Sequence, residues 1–318
     1  MGVSVVIPNY NGEKYLKACM ESLMEQSLKA DEIIIVDNAS KDKSIQYIKE
    51  NFKDKVTLIC MDKNYGFSKA VNEGIKRSKS KFVALLNNDT ELHKDWLLEL
   101  YNCISKDENI FSCCSKMLRY IDRDIIDDVG DEYTIFGWGA KIGDGKLSEE
   151  YEVSREVFSS CAGAAIYRKS ILDEIGLFDE NFFAYLEDMD ISYRARIFGY
   201  KNYYAAKAKV YHIGSATSGS RYNEFKVRLA ARNNIYLIYK NMPNIQILVN
   251  SLFVFVGILI KWVYFILKGL GKPYISGVLE GLKTKKKIHR VTVKGNLYNY
   301  IKIEKMLLRN TFNLLKRG

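Results

Sequence analysis

Short runs of β-branched residues recur through the first third of the chain, spaced so that one helix fits between each pair. Residues 3–7 (VSVVI) and 33–36 read as buried strands, and 56–60 and 82–86 as strands. Between them, Tyr15, Leu16, Cys19, Met20, Leu23 and Met24 fall at helical spacing over residues 13–25, and 44–52 and 68–77 read as helices too. Strand and helix alternating in this way predict βαβ units and a parallel sheet covered by helices. A chain of 318 residues, 47% hydrophobic and 27% charged, can bury such a sheet without a disulfide or metal staple. Further on, residues 122–151 are rich in Gly, Asp and Glu and predict a long loop over a site. Residues 157–167 read as a strand interrupted by CAGAA, 169–175 and 188–198 as helices, 203–211 as a strand and 223–239 as a helix.

Open α/β sheets bind ligands at the carboxyl ends of their strands. Three polar turns fall there: PNYNG at 8–12, DNASKD at 37–42 and NNDTE at 87–91. Each alone reads equally as a cap or a turn; three on one edge mark a ligand site. The chain has neither G-x-G-x-x-G nor G-x-x-x-x-G-K-[ST], so a bound diphosphate needs another source of neutralisation. Asp89 with a divalent cation supplies one, since hard cations bridge carboxylates to phosphates. His212, at the end of an apolar strand, reads as a structural histidine or as a nitrogen ligand opposite Asp89, better suited to Mn²⁺ than to Mg²⁺. Glu187, Asp188 and Asp190 open a helix, where acids complement the dipole. Three acids in four positions exceed that need, and one carboxylate fits a general base. The preceding FFAY offers apolar walls that raise a carboxyl pKa. The small residues of CAGAA fit either tight strand packing or close approach of a substrate.

Seven blocks in order carry a family resemblance: PNYNG, VDNASKD, NYGFSKAVNEG, LLNNDTEL, CAGAAIYRKS, FFAYLEDMDISYRAR and VYHIGSAT. With RNNIYLIYKNMP after them, they resemble glycosyltransferase family 2, the inverting nucleotide-sugar transferases of GT-A fold, over about residues 1–243. The resemblance implies a Rossmann-like mixed α/β sheet flanked by helices, with a nucleotide-binding half over about 1–91 and an acceptor half over about 92–243. It implies that Pro8, Asn9, Asn11, Asp37 and Asn38 line the nucleotide pocket, with Asp37 accepting from the imide N–H of uracil or thymine. Asn64, Gly66 and Lys69 would lie near the base, ribose or phosphates, and Asn88 and Asp89 at the metal motif. Asp89 and His212 would hold Mn²⁺ or Mg²⁺, with Asp188 the base and Glu187 orienting it or the acceptor. Many members carry two or three acids in the metal motif, whereas Asn87 and Asn88 replace the earlier ones here. That leaves one formal charge from the loop, or two if Glu91 turns inward, and implies weaker metal dependence. The N-N-D-T form resembles the rhamnosyltransferase-type branch. Its expected donor is dTDP-rhamnose, with UDP-hexoses the alternative, and its acceptor a lipid-linked or cell-surface glycan.

The net charge of +10 is uneven. Residues 241–318 carry fourteen Lys/Arg against Glu280 and Glu304, or +12, leaving −2 on the first 240 residues. Residues 252–260 and 262–267 are apolar around Lys261, 16 residues in all, short of the roughly 20 that a spanning helix needs. The expectation for 244–318 is therefore a basic, aromatic-rich helical tail lying at a membrane surface, ahead of a spanning helix and of a core or homo-oligomer contact. Six cysteines without a CxxC pair, and no signal peptide, predict a cytoplasmic protein attached peripherally to the inner face of the cell membrane. Cys19, Cys60 and Cys161 read as small core residues. Among other classes, a nucleotidyltransferase lacks its Gly-rich basic loop here. A nucleic-acid-binding protein lacks a reading motif, so no nucleic acid is expected as a partner. An inactive scaffold would not keep Asp37, Asp89, Asp188 and His212 together.

Overall fold

A computed structural model of the chain describes residues 2–214, 222–291 and 296–317. Residues 215–217 of the VYHIGSAT block lie outside the described residues. The first third follows the expected alternation: β1 (Val3–Asn9), α1 (Glu13–Met24), β2 (Glu32–Asp37), α2 (Ser44–Phe52), β3 (Thr57–Cys60), α3 (Phe67–Arg77) and β4 (Phe82–Leu86). Then come β5 (Thr90–Leu92), α4 (Trp96–Ile104), β6 (Ile110–Arg119), β7 (Ile126–Asp128), β8 (Asp131–Tyr133), β9 (Gly139–Lys141), β10 (Arg155–Val157) and β11 (Ala164–Arg168). The remainder is α5 (Lys169–Ile175), α6 (Glu187–Ile197), β12 (Lys201–His212), α7 (Glu224–Asn241), α8 (Asn244–Leu267), α9 (Gly271–Thr284) and α10 (Leu297–Arg317).

The main sheet runs β10-β12-β6-β11-β4-β1-β2-β3, with β5 on β12 and β7 on β6. β3, β2, β1 and β4 are parallel, which the βαβ spacing requires. β11 enters antiparallel between β4 and β6, so the sheet is mixed. Helices cover both faces. Leu16, Met20 and Trp96 lie in one core layer, and Val71, Ile75 and Leu172 in the other. Each such fully buried aliphatic side chain contributes about 1.5–3 kcal/mol.

Four expectations are corrected. Residues 122–151 are not one long loop, because they contain β7 and the β8–β9 hairpin. β6 escaped the reading because Ser112, Ser115 and Lys116 break its apolar run. Inside the fold their polar atoms are satisfied: Trp96 Nε1 donates to Ser115 Oγ at 2.7 Å, and Lys116 Nζ meets Glu152 at 2.5 Å. The strand at 157–167 divides into β10 and β11. Cys60 ends the outermost strand of the sheet and is exposed, and Cys161 is half-buried, whereas Cys19 is in the core.

The tail is helical, and its apolar helix is longer than the hydropathy run. α8 begins directly after Pro243 and continues for 24 residues, about 36 Å at 1.5 Å per residue. Among the described residues it is the one helix long and apolar enough to cross a membrane by length and composition, so the objection from length falls. One side of it is tied to the domain. Gln246 and Asn250 donate to Glu304 of α10 at 2.6 and 3.0 Å, and Trp138 Nε1 donates to the Gly257 carbonyl at 3.0 Å. α9 packs against α7 through Tyr274 and Val278, and α10 inserts Ile303 and Leu307 beside Tyr133 and Tyr193.

Candidate active site

The carboxyl ends of β1, β2 and β4 meet in a network of amides. Asn9 Nδ2 donates to Asp37 Oδ1 at 2.7 Å, and Asn88 Nδ2 donates to Asn9 Oδ1 at 2.7 Å. Asp37 Oδ2 accepts from the Ser40 backbone N–H at 2.9 Å. Asp37 is fully buried, and each of its oxygens keeps a second lone pair. Gly12 closes this corner, since a Cβ there would run into the Asn9 and Asn88 amides. Asn11 sits at φ 51° and joins the first two turns, accepting from the Lys41 N–H at 2.8 Å. Pro8 lies beneath it, in register with Val36.

Asn38 links to the next turn. Its amide donates to Asn64 Oδ1 and to the Gly66 carbonyl, both at 3.0 Å, and its oxygen accepts from the Tyr65 N–H at 2.9 Å. Gly66, at φ 86°, starts α3 where a Cβ would strike the Phe183 carbonyl. Ser68 N–H donates to that same carbonyl at 3.2 Å, so the start of α3 touches the turn before α6. Lys69 is held by Glu73 at 3.4 Å and Glu180 at 3.2 Å.

Asp89 and His212 come together through strand pairing. β5 pairs with β12 in a register that sets His212 opposite Thr90, one residue after Asp89. His212 Nε2 lies 3.5 Å from Asp89 Oδ1, and Nδ1 donates to Asp127 Oδ2 at 2.7 Å. Burial opposes an imidazolium here, but the bonds to Asp127 and Asp89 outweigh it and raise the His212 pKa to about 9. Burial likewise opposes the charged form of Asp127, and the His212 bond and the Lys141 charge overcome it and lower its pKa. Lys141 of β9 reaches Asp127 at 3.1 Å and Asp128 at 3.8 Å. Burial raises the Asp128 pKa to about 6 against that pull. Glu91 turns away to Arg123 at 2.9 Å, so Asp89 is the one carboxylate its turn directs at His212.

The donor set fits a divalent cation. A carboxylate on Nδ1 fixes the tautomer and aims Nε2, the usual support of a ligating imidazole. A facing oxygen and nitrogen suit Mn²⁺. Among the described residues no group of three or more His, Cys, Asp or Glu is arranged to hold a metal. A cation between Asp89 and His212 would therefore complete its shell with water and substrate oxygens.

Asp188, in the first turn of α6, is linked through the CAGAA segment to Asn87, two residues before Asp89. Its carboxylate accepts from the Ala162 N–H at 3.3 Å and the Met189 N–H at 2.8 Å. CAGAA thus holds the Asp188 carboxylate, and its Gly163 carbonyl also takes the Asn87 N–H at 2.8 Å. Burial raises the Asp188 pKa, with the two backbone N–H groups opposing. Glu187 is buried, its Oε2 has no hydrogen-bond partner, and burial followed by the Asp188 charge raises its pKa well above the carboxylate range. Asp190 is set apart from the chemistry: fully buried, it binds Arg194, Lys240 and Asn241.

The turn before Glu187 is unusual. Phe183, Tyr185 and Leu186 all have positive φ, between 64 and 70°, a costly conformation for residues with a Cβ. Asn233 of α7 clamps it, its Nδ2 donating to the Phe182, Ala184 and Tyr185 carbonyls at 2.9, 2.8 and 2.7 Å. Asp127, Asp128, Lys141 and Asn233 were not singled out in the sequence. The paired acids before Gly130 in DDVG were the available signal for the first two.

A mixed sheet thus gathers amide-lined turns and an Asp–His pair at its strand ends, with a half-buried acid at the start of α6, where open α/β sheets bind ligands. The family model for glycosyl transferase family 2 matches residues 4–176, and the chain belongs to that family. Relatives include an uncharacterised glycosyltransferase of Rickettsia prowazekii, 28% identical over 60% of this chain and 58% of its own length. Another is the poly-β-1,6-N-acetyl-D-glucosamine synthase of Staphylococcus epidermidis, 24% identical over 84% of this chain and 63% of its own. The chain thus spans about three-fifths of these relatives. Two solved structures share the fold. S. aureus TarS 1–349 with UDP-GlcNAc aligns with TM-score 0.59 at 18% identity, over 96% of this chain and 91% of that one. GalNAc-T7 with UDP, GalNAc and Mn²⁺ aligns with TM-score 0.61 at 19% identity, over 75% of this chain and 47% of that one.

Proposed function

We propose that this chain moves a sugar from a nucleoside-diphosphate donor to an acceptor hydroxyl, with inversion. The observation that carries the reading is Asp188, a half-buried carboxylate with a raised pKa, tied through Ala162 and Gly163 to the turn that carries Asp89, which faces His212. Asp188 takes the proton of the attacking hydroxyl as the new bond forms on the face opposite the nucleotide. Backbone N–H groups of Ala162 and Met189 keep the carboxylate aimed during that transfer. A divalent cation held by Asp89 and His212 would stabilise charge on the departing diphosphate. Pro8, Asn9, Asn11, Asp37 and Asn38 form the nucleotide corner, with Asn64, Gly66 and Lys69 at its outer edge. Uracil and thymine present the same imide N–H, so Asp37 serves either base. The N-N-D-T resemblance favours dTDP-rhamnose, and the UDP complexes of fold relatives favour a UDP-hexose.

The acceptor is a lipid-linked or surface glycan, and the tail docks the enzyme on the inner face of the cell membrane. The outward side of α8 supports this: Leu248, Leu252, Phe255, Val263 and Leu267 are all more than half exposed along one side of the helix, and contiguous exposed apolar surface marks protein or membrane contact sites. The polar anchors to Glu304 hold the other side against the domain, which favours a helix lying on the membrane over one crossing it.

The test is a panel of nucleotide sugars read by thermal stabilisation and by turnover, with and without Mn²⁺. One nucleotide sugar should stabilise the fold and be turned over. No stabilisation by any member would remove the donor reading.

A further inference from the structure

A cavity of about 780 Å³ lies between α10 and the β10–β12 edge of the sheet. It is far from the active site. Lys201 starts β12 at the cavity, whereas His212 ends the same strand at the site, a separation of about 36 Å at 3.3 Å per residue. Arg196 and Asp188 divide the two ends of α6 in the same way.

The cavity is strongly cationic. Arg155, Arg196, Lys201, Lys302, Lys305 and Arg309 line it, against Glu132 and Glu156. Glu156 is taken by Arg196 at 2.8 Å, and Glu132 accepts from Asn313 at 3.1 Å. Lys201 is paired with Asp107 at 3.0 Å. Among the described residues Lys305 and Arg309 have no acid within ion-pair distance. Arg196 is buried, and burial first, then the like charge of Arg309, lower its pKa. Such a cavity is complementary to an anion with several acceptor oxygens.

The neighbouring surface says where that anion comes from. Leu297, Ile301, Leu308, Phe312 and Leu315 form an exposed stripe along α10. Lys302, Lys305 and Arg309 flank it on the cavity side. An apolar stripe bordered by cations is the pattern of a helix lying in a membrane interface. The Gln246 and Asn250 bonds to Glu304 set α10 beside α8, whose outward side is also apolar.

We propose that this cavity binds the phosphate headgroup of an anionic membrane lipid, with the acyl chains against the α8–α10 surface. The proposal rests on the reading of the tail as a membrane dock and adds a defined headgroup site to it. The test compares the full chain, Lys305→Ala/Arg309→Ala and a control pair, Lys283→Ala/Lys287→Ala, which removes two exposed charges outside the cavity. Each is co-sedimented with phosphatidylcholine vesicles, with and without phosphatidylglycerol, after thermal unfolding shows that all three fold. Loss of two diffuse surface charges weakens binding about 30-fold at most. The cavity pair is expected to lose about tenfold more than the control on phosphatidylglycerol vesicles, and nothing on phosphatidylcholine alone. Equal losses in the two pairs overturn the headgroup site and leave the membrane dock standing. A wild type that sediments with neither vesicle overturns the dock itself. Stabilisation of the wild type by glycerol 3-phosphate, lost in the cavity pair while vesicle binding is unchanged, assigns the cavity to a soluble phosphate and overturns the lipid source.

Discussion

Asn233→Ala separates positioning of the base from stability. The Asn233 amide has two protons shared among three carbonyls of the Phe182–Tyr185 turn. Two buried hydrogen bonds contribute about 1–3 kcal/mol, and carbonyls left without partners cost about as much again at the upper end. The strain the clamp restrains is of similar size, since Phe183, Tyr185 and Leu186 hold positive φ at about 1 kcal/mol or more each. Without the clamp the turn relaxes, and Glu187 and Asp188 move with it. A displacement of about 1 Å at a reacting group costs about 100-fold in rate. The domain survives, because a fold of this size retains several kcal/mol. The control is Asn72→Ala, whose buried amide makes a similar link, to the Phe178 carbonyl at 2.8 Å, but outside the turn. Both variants should lose thermal stability. Only Asn233→Ala should lose about 100-fold in kcat, with the donor KM little changed. If kcat of the two variants agrees within about twofold, the clamp does not position the base and the reasoning fails.

The other predictions concern the site and the tail. Asp188→Asn should reduce transfer by about 100-fold or more while donor-induced thermal stabilisation persists; loss of both together would make Asp188 structural. Because burial raises the Asp188 pKa, its active, charged form is lost as pH falls through a value above the ordinary carboxylate range of about 4. The acid limb of the kcat profile should sit correspondingly high in wild type and should vanish in Asp188→Asn. Asp89→Ala and His212→Ala should each abolish Mn²⁺-dependent stabilisation in calorimetry; a full response in either would place the cation elsewhere. Asp37→Ala should raise the donor KM, with kcat nearly constant, and an unchanged KM would remove Asp37 from the nucleotide corner. For the membrane dock, Leu252→Glu/Phe255→Glu is preferable to deleting the tail, because α10 covers Tyr133 and Tyr193. That variant should stay folded and lose vesicle co-sedimentation.

The sequence by itself determined the elements whose signal is local. β1, β2, β4 and the helices follow from periodicity, because a strand buried on both faces must be continuously apolar and an amphipathic helix must repeat at 3.6 residues, while β3 is a short edge strand with exposed ends. The turns at 8–12, 37–42 and 87–91 were legible for the same reason, since a parallel sheet puts every such turn on one edge. Only tertiary structure decided the rest. β6 hid behind Ser112, Ser115 and Lys116, whose burial depends on partners such as Ser160 and Glu152, 48 and 36 residues away. The Asp127–His212–Asp89 line depends on β5, β7 and β12 converging, and no spacing rule joins positions 89, 127 and 212. The clamp from Asn233 onto a strained turn 48 to 51 residues earlier is invisible to any local pattern. In the tail the sequence determined charge and apolarity, but hydropathy counted only the apolar run. The helix extends through Gln246 and Asn250 because Glu304, on another helix, satisfies them. Burying a polar group requires a partner, and the partner's place in space is what the sequence does not state.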